Sequence, residues 1–342
     1  MNTETVTESI LSVANNGNLS LEHLIAMLST QHDEHTVITL VRKLCLQSKK
    51  NDVMKKGMEF LYMNGFYEDL QLLIDRNKKS RNMSNNKWAV IYQLMLDRKL
   101  KKIKPLVVIH HAAELHSDDP ELISIIEFAK ASSYYEMRDF AKIGNFLEKQ
   151  QKLYTSILDP FLISSLNFRL YQLLFFYHWC RNELIIARKY AFRVLNLTNN
   201  PRTRATINIS LALTYTFDTY QQGMYHMEEA KKISLKHNLT RNLELINNCN
   251  IPFLSAHHKR VQGISTNEKS EQAHLEIAKG NLKRAENILI ELPAYSPFQL
   301  YYLGVATNDK DLLHQSYSSF IEKNKDYFFC RLPIQALQEM GT

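Results

Sequence analysis

The chain has 342 residues, and its nine glycines and eight prolines make up about 5% of it, against about 12% in average usage. Sheet-rich and βαβ folds need many tight turns, which draw on Gly, Pro, Asn and Asp. This scarcity argues against propellers, long parallel sheets and Rossmann-type glycine loops. The length fits two domains of about 150 residues or one elongated array of helical repeats.

The charge balance is basic but diffuse, with 42 Lys and Arg against 35 Asp and Glu and a formal net charge of +7. The densest basic run is residues 98–104, RKLKKIK. We expect this run to be a solvated helix end or loop, and a nucleic-acid patch is the alternative.

The cysteines and the first residues indicate the compartment. The four cysteines lie far apart in the chain, and the first ten residues, MNTETVTESI, are polar and acidic rather than typical of a signal peptide. No apolar run reaches the ~18 residues of a membrane span. The sequence therefore predicts a cytoplasmic protein with reduced thiols and no membrane segment.

Helical signals recur from one end of the chain to the other. Ser20 precedes the first apolar stripe and is predicted to be its N-cap. Asp119-Pro120 opens a later helix, because proline at the first helical position loses no needed N–H. The apolar residues at helical spacing are Leu21, Leu24, Met27 and Leu28, then Val37, Leu40, Val41, Leu44 and Cys45, then Trp88, Ile91, Tyr92, Met95 and Leu96, then Leu122, Ile125, Ile126, Phe128 and Ala129. Almost nothing alternates with period two, so the chain is predicted to be all-α.

The helices are predicted to come in pairs, because several turns share a pattern. A polar residue or glycine is followed two positions later by an aromatic or aliphatic residue, and usually by a small residue five positions later. The turns are Arg138-Phe140-Ile143 (which lacks the small residue), Asn182-Leu184-Ala187, Asp218-Tyr220-Gly223 and Gly280-Leu282-Ala285. Small residues let paired helices approach closely, and tetratricopeptide repeats recur every ~34 residues. The expected fold is a right-handed superhelix, or α-solenoid, of degenerate TPR-like helix pairs.

The periodicity lapses at residues 251–268, IPFLSAHHKRVQGISTNE, which contain Pro252 and Gly263. We expect a loop or hinge there, with a partner-binding loop as the sharper alternative. The predicted organisation is an N-terminal and central array at residues 1–255 and a C-terminal helical portion at 256–342.

Motifs for catalysis, cofactors and metal ions are absent from the sequence. It contains no GxxxxGK[ST], GxGxxG, HExxH or CxxC pattern. Adjacent histidines, as at His110-His111 and His257-His258, point about 100° apart on a helix and cannot chelate an ion as a pair. We expect His110 to be a core or interface histidine. The prediction is a non-enzyme without cofactor or metal.

Two C-terminal stretches carry a family resemblance. Residues 271–292, EQAHLEIAKGNLKRAENILIEL, and 300–341, LYYLGVATNDKDLLHQSYSSFIEKNKDYFFCRLPIQALQEMG, resemble segments of the arbitrium peptide receptors, the AimR-like regulators of SPβ-group Bacillus phages. Weaker matches are LSLEHLIAML (19–28), NNKWAVIYQL (85–94) and RNELIIARKYAFRVL (181–195). The resemblance thus runs in order from residue 19 to residue 341.

The resemblance implies a TPR-like superhelix with an N-terminal helix-turn-helix and a C-terminal dimerising helix. Such proteins bind DNA and respond to a short secreted phage peptide that steers lysis against lysogeny. Only residues 1–18 precede the matched region, which is too few for a helix-turn-helix. The chain also stops at Gly341-Thr342, where the family continues into a leucine-rich helix. We therefore expect no sequence-specific DNA binding, and a monomer or weak dimer.

The resemblance also locates the peptide clamp, which is altered in this chain. Three family asparagines fall on Phe176, Cys180 and Leu213, none of which can bracket a peptide backbone. Arg202 and Asp326 fall on peptide-contacting positions and keep the residue type. They are candidates for peptide or partner binding, and a structural ion pair is the alternative.

Two functional hypotheses follow. In the first, the chain is a non-catalytic phage regulator that acts in lysis–lysogeny control through contacts with a phage or host protein, without a helix-turn-helix, and the family's signal peptide is not bound. In the second, it is a peptide-responsive receptor that binds a signal peptide in its concave groove and regulates transcription through DNA binding, with residues 98–104 as one basic surface.

Overall fold

The computed structural model describes residues 19–293 and 295–341, except for the side chains of Ala141 and Gln151. The described residues form helices and connecting turns, with no strand among them, which confirms the all-α prediction. The predictions that concern residues 1–18 lie outside the described residues.

The α-helices of the described chain are numbered in order: α1 (Leu21–Ser29), α2 (Glu34–Gln47), α3 (Asn51–Asn64), α4 (Tyr67–Lys78), α5 (Met83–Lys99), α6 (Pro105–Glu114), α7 (Pro120–Glu136), α8 (Phe140–Tyr154), α9 (Pro160–Cys180), α10 (Leu184–Leu197), α11 (Pro201–Leu213), α12 (Tyr220–Lys236), α13 (Thr240–Leu245), α14 (Ile251–His257), α15 (Lys269–Ala278), α16 (Leu282–Ile290), α17 (Pro297–Thr307), α18 (Lys310–Ser318) and α19 (Arg331–Gly341). Two π-helical segments, Ile246–Asn250 and Ser319–Lys323, adjoin α14 and α18.

The predicted helix starts are confirmed. The Ser20 hydroxyl accepts a hydrogen bond from the backbone N–H of His23 at the start of α1. The Asp119 carboxylate accepts from the N–H of Glu121, and Pro120 is the first residue of α7. Both caps satisfy helix N–H groups that have no partner inside the helix.

Left-handed residues end several helices and reverse the chain. Arg138, Asn182 and Gly280, the first residues of three predicted turns, have φ angles of 59°, 62° and 84°. A residue in this conformation stops the helix and lets the next one fold back against it. An added Cβ at Gly280 would meet nothing within 4 Å, so its role is conformational. Gly223 does serve close packing, because a Cβ there would lie 3.3 Å from the Ala212 carbonyl oxygen.

The prediction of a loop at residues 251–268 is wrong for residues 251–257. Residues Ile251–His257 are the helix α14, which continues directly from the π-helical segment, and Ile251 to Ala256 are all buried. Pro252 lies in the first turn of α14, where a missing N–H costs little. Only residues 258–268 form a connection between helices.

Packing divides the chain into two compact units, Met1–Leu170 and Tyr171–Thr342, and the division falls inside α9. The predicted organisation with a boundary between residues 255 and 256 stays a prediction.

The first unit contains a buried polar network around Glu59 of α3, whose side chain is fully buried. Its carboxylate accepts hydrogen bonds from the Tyr92 hydroxyl at 2.6 Å, from the Ser165 hydroxyl and from the Arg169 guanidinium. Burial raises the pKa of Tyr92 well above its ordinary value. One turn away, Lys56 pairs with Asp159 at 2.5 Å. These contacts tie α3 to α5, to the first half of α9 and to Asp159 just before it, the last two more than 100 positions later in the chain.

The second unit has an aromatic core that includes Phe253, Tyr302, Phe320 and Phe328. The Tyr302 hydroxyl donates to Glu271 at 3.1 Å, and the His274 ring stacks on Tyr302 with centroids 4.3 Å apart. The Tyr302 hydroxyl in this core therefore has a partner on a neighbouring helix, α15.

We expect Arg169→Met to destabilise the protein by about 3–5 kcal/mol, because it leaves the buried Glu59 carboxylate without its cation. Urea denaturation measures the change in the free energy of unfolding. Lys283→Ala is the matched control: it removes the exposed Lys283–Glu286 pair and should cost less than about 1 kcal/mol. Equal effects would show that the Glu59 network contributes no more than a surface pair.

We expect Gly304→Ala in α17 to destabilise the protein by about 1–3 kcal/mol, because its new Cβ would lie 2.9 Å from Leu313 and 3.2 Å from the Asp309 carbonyl oxygen. Gly144→Ala in α8 has open space around the Cβ and should stabilise by about 0.5–1 kcal/mol. Thermal and urea unfolding of the two variants check the opposite signs.

Candidate functional site

The candidate site of the second unit is built where the end of α9 meets the turn before α19. The backbone N–H of Tyr327 donates to the Cys180 carbonyl oxygen at 2.7 Å. Cys180 is buried. The structure thus brings together Cys180 and the segment that contains Asp326, two of the positions that the resemblance marked.

Asp326 shapes this turn through its side chain. One carboxylate oxygen accepts hydrogen bonds from the backbone N–H groups of Phe328 and Phe329, at 3.1 and 2.9 Å. An aspartate that binds the next N–H groups in this way holds a tight turn. Its local effect is to direct two phenylalanines into the core, where both are buried.

An aromatic cluster follows from that turn. The Trp179 ring lies 6.1 Å from Phe328 and 6.0 Å from Phe329, and Phe217 lies 5.1 Å from Phe328, centroid to centroid. Phe176 is half-buried, with its ring 6.2 Å from that of Trp179. Edge-to-face pairs of this kind add to the burial energy of the rings.

The three positions that the resemblance marks as altered carry no hydrogen-bonding amide, and each is buried or half-buried. Leu213 is half-buried and packs against the same core as the phenylalanines, Phe176 joins the aromatic cluster, and Cys180 is buried. Burial raises the pKa of the neighbouring Cys330 thiol. None of the three side chains carries an amide that could both donate to and accept from a peptide backbone.

Arg202 belongs to the helix α11 and not to this turn. It lies exposed in the first turn of α11, where its backbone N–H donates to the Asn200 side chain at 3.0 Å. The ion pair between Arg202 and Asp326, which the sequence left open as the alternative, stays a prediction. The guanidinium is available to a ligand.

Two other arginines of the site were missed from the sequence. Arg331 lies over the Phe217 ring at 4.2 Å and reaches the Asn182 side chain at 3.5 Å. Arg188 lies 3.7 Å over the Tyr215 ring and donates to the Thr214 carbonyl oxygen at 2.6 Å. Their partners are distant in sequence, and the only signal was the family-like Arg331-Leu332-Pro333.

His257 of the second unit is a half-buried histidine with a lowered pKa. Desolvation lowers the pKa of His257 to about 4, with a smaller effect from the neighbouring His258. The His257 ring stacks on Phe253 and meets Phe217 edge to face. His110 of the first unit is the opposite case: its side chain is 73% exposed, so the expected core position is wrong, and the interface position stays a prediction.

Metal and membrane sites receive no support from the geometry. Across residues 19–293 and 295–341, no group of three or more His, Cys, Asp or Glu side chains could hold a metal ion. No helix in those ranges is both long and apolar enough to cross a bilayer.

Comparison with known proteins decides the family. The AimR transcriptional regulator-like family matches residues 37–339. The chain belongs to this family. The family resemblance is thereby confirmed, and the clamp positions drawn from it stay a prediction.

Relatives and solved structures agree with that assignment. The chain is 26% identical over 218 residues to an uncharacterized protein, pXO2-35 of Bacillus anthracis, covering 60% of this chain and 80% of that protein. It is 21% identical over 314 residues to the AimR transcriptional regulator of Bacillus phage SPbeta, covering 88% and 80%.

Among solved structures, phAimR-Ligand matches with a TM-score of 0.77 at 20% identity, over 94% of this chain and 98% of that chain. SeMet-phAimR matches with a TM-score of 0.72 at 19% identity, over 93% and 85%. At these identities the likeness establishes the fold, a TPR-like helical array, as the sequence predicted.

Acidification should destabilise the protein through His257. Its folded pKa of about 4 lies below the ordinary 6.5, so between these values the unfolded chain binds more protons and stability falls as the pH falls. The loss approaches about 3 kcal/mol near pH 4. Urea unfolding of wild type and His257→Phe from pH 7 to pH 4 measures it. His257→Phe should lack this pH-dependent loss of stability. His237→Phe, a change at an exposed histidine, should retain it.

Proposed function

We propose that this AimR-family protein is a non-catalytic phage regulator that acts in lysis–lysogeny control through protein–protein contacts in the cytoplasm of the bacterial host. The observation that carries the proposal is that Phe176, Cys180 and Leu213 stand at the three positions where the family resemblance places asparagines. A surface that has exchanged amide groups for aromatic and aliphatic side chains suits a partner with apolar anchors better than the backbone of a short peptide.

The energetic argument concerns the family's signal peptide. Each hydrogen bond to such a ligand contributes about 0.5–1.5 kcal/mol net. Three absent partners would therefore weaken binding by about 10- to 1,000-fold relative to a receptor that keeps them. The proposal accordingly excludes the same peptide bound in the same way.

Arg202 and Asp326 have unequal roles in this proposal. Asp326 already accepts two backbone hydrogen bonds, so it contributes mainly by shaping the turn. Arg202 is exposed and is the better candidate for direct contact with an acidic group of the partner. A guanidinium at such a position can form a bidentate pair with a carboxylate.

The absence of sequence-specific DNA binding is part of the same proposal. Two of the five cations in residues 98–104 have carboxylate partners: Arg98 with Glu136 at 2.9 Å and Lys102 with Asp97 at 3.9 Å. Paired cations release fewer counterions on contact with phosphate. We further propose a monomer or weak dimer, and no catalytic activity.

The second candidate is a peptide-responsive receptor that regulates transcription through DNA binding. Two observations favour it: the SPbeta relative is a transcriptional regulator by name, and a matching solved structure is phAimR-Ligand. It requires a peptide of different chemistry, because Phe176, Cys180 and Leu213 have no amide that could hold a peptide backbone.

Calorimetry and electrophoretic mobility shift separate the two candidates. We expect no heat with the family's signal peptides and no sequence-dependent shift of phage DNA at moderate salt. The SPbeta regulator serves as the positive control in both assays. Binding of a family peptide in the micromolar range, or a tight sequence-dependent DNA shift, would overturn the proposal.

A pull-down from lysogenic cells tests the protein contact and the role of Arg202. Wild type should retain a phage or host regulator, and Arg202→Glu should reduce its recovery about tenfold, since it reverses a charge at the contact. Arg241→Glu is the matched control, as Arg241 is likewise exposed. Equal recovery with both variants would remove Arg202 from the interface.

A further inference from the structure

A basic and apolar surface lies where α5 is connected to α6 in the first unit. We call it the basic shoulder and define it by Lys99, Lys101, Lys104, Leu106 and Val107, of which all five are exposed. Leu106 is 63% exposed and Val107 38%. Aliphatic side chains beside cations at this exposure are typical of a surface that a partner covers.

The backbone under the basic shoulder is well ordered by hydrogen bonds. The N–H of Lys101 donates to the Arg98 carbonyl oxygen at 2.9 Å, and the N–H of Lys102 to that of Asp97 at 2.8 Å. Lys101 takes the left-handed conformation, with φ of 58°, which completes a helix C-terminal motif. Pro105 then starts α6. A partner would therefore meet lysines whose backbone is already in place.

The charge of the basic shoulder is not balanced from within. Lys99, Lys101 and Lys104 have no carboxylate within ion-pair distance among the described residues, whereas Lys102 pairs with Asp97 at 3.9 Å. Three neighbouring cations without partners produce a positive potential that attracts carboxylates.

A cleft of about 570 Å³ adjoins the basic shoulder. Leu100 and Lys102 belong both to the connection after α5 and to the cleft wall, which also includes Phe66, Tyr67 and Leu96. Leu100 is 44% exposed. The apolar wall of the cleft could hold one bulky side chain of a partner, in the way that anchor residues fill pockets at protein interfaces.

The other charges of the cleft limit where an acidic group can bind. Arg42 lies 4.5 Å over the Phe66 ring and is neutralised by Asp69, and Glu68 also lines the cleft. A carboxylate inside the cleft would meet Glu68, so the cleft suits the apolar anchor. We therefore expect the carboxylates of the partner to contact the lysines of the basic shoulder.

We propose that the basic shoulder and its cleft bind an acidic protein segment that carries an apolar anchor, such as an amphipathic helix with carboxylates beside its apolar stripe. This inference rests on the proposed function, because it names one surface and one partner chemistry for the protein contacts. Nucleic acid fits less well, since phosphate contacts leave Leu100, Leu106 and Val107 uncovered. A second copy of the chain would set lysines against lysines.

The test uses the full chain and a fluorescent helical peptide of about 16 residues with a leucine stripe flanked by glutamates. Anisotropy at about 0.15 M salt should show saturable binding that weakens as salt rises. Lys99→Glu/Lys101→Glu/Lys104→Glu should lower the affinity at least about tenfold. The matched control, Lys236→Glu/Lys259→Glu/Lys310→Glu, makes the same charge change at exposed lysines elsewhere and should bind as wild type does.

Two further probes test each half of the surface. A version of the peptide with lysines in place of glutamates should bind the triple shoulder variant better than wild type. Leu106→Asp should weaken the acidic peptide at least about threefold while leaving the circular dichroism spectrum unchanged, since Leu106 is largely exposed.

Several outcomes would overturn the inference. One is equal peptide binding by the triple variant of the basic shoulder and the triple control variant. Another is unchanged peptide affinity in Leu106→Asp. A third is displacement of the peptide by random-sequence duplex DNA at equimolar concentration. Equal recovery of the cellular partner by wild type and the shoulder triple would also overturn it while leaving the proposed function intact. Failure to recover any partner would instead count against the proposed function.

Discussion

The apolar faces of the described helices can be covered only by neighbouring helices. The turn between two consecutive helices determines which helix packs against which. At Arg138, Asn182, Gly280 and Asn308 the backbone enters the left-handed region, which ends one helix and reverses the chain toward it. Sequential helices therefore pack as antiparallel pairs, and the small residues Ala187 and Ala285 are buried where the pairs touch. A chain built in this way needs few glycines and prolines, because a polar residue can take the left-handed position at modest cost.

Local pairing alone does not hold the first unit together. Glu59 receives donors from α5 and α9, and Lys56 meets carboxylates that follow it by up to about 100 positions. Such contacts are costly when incomplete, because a buried charge without a partner loses its hydration with no compensation. The basic shoulder shows the other use of charge. Its lysines keep their hydration and stay unpaired, which leaves them available to an acidic partner.

In the second unit, the residues that preserve the fold differ from those that would define a ligand site. About 20% identity with phAimR suffices for a TM-score above 0.7, because many different apolar side chains can fill the same helical stripes. A ligand site has no such tolerance, since a few side chains supply its hydrogen bonds. In the proposed function, Phe176, Cys180 and Leu213 keep the packing of the array and replace the amides that would hold a peptide backbone. Fold and ligand can therefore diverge within one family.

Helix positions, caps and the all-α class follow from the amino-acid sequence by itself, because they depend on residues within four or five positions of each other. The family follows from it too, through the stretches 271–292 and 300–341. Long-range consequences do not. Asp326 holds its own turn through backbone hydrogen bonds, residues 251–257 are helical in spite of Pro252, and His110 is exposed. The Glu59 network has no local signal at all. Burial, ion pairing and pKa depend on which distant helix packs against a residue, and only the assembled tertiary structure brings that helix into contact.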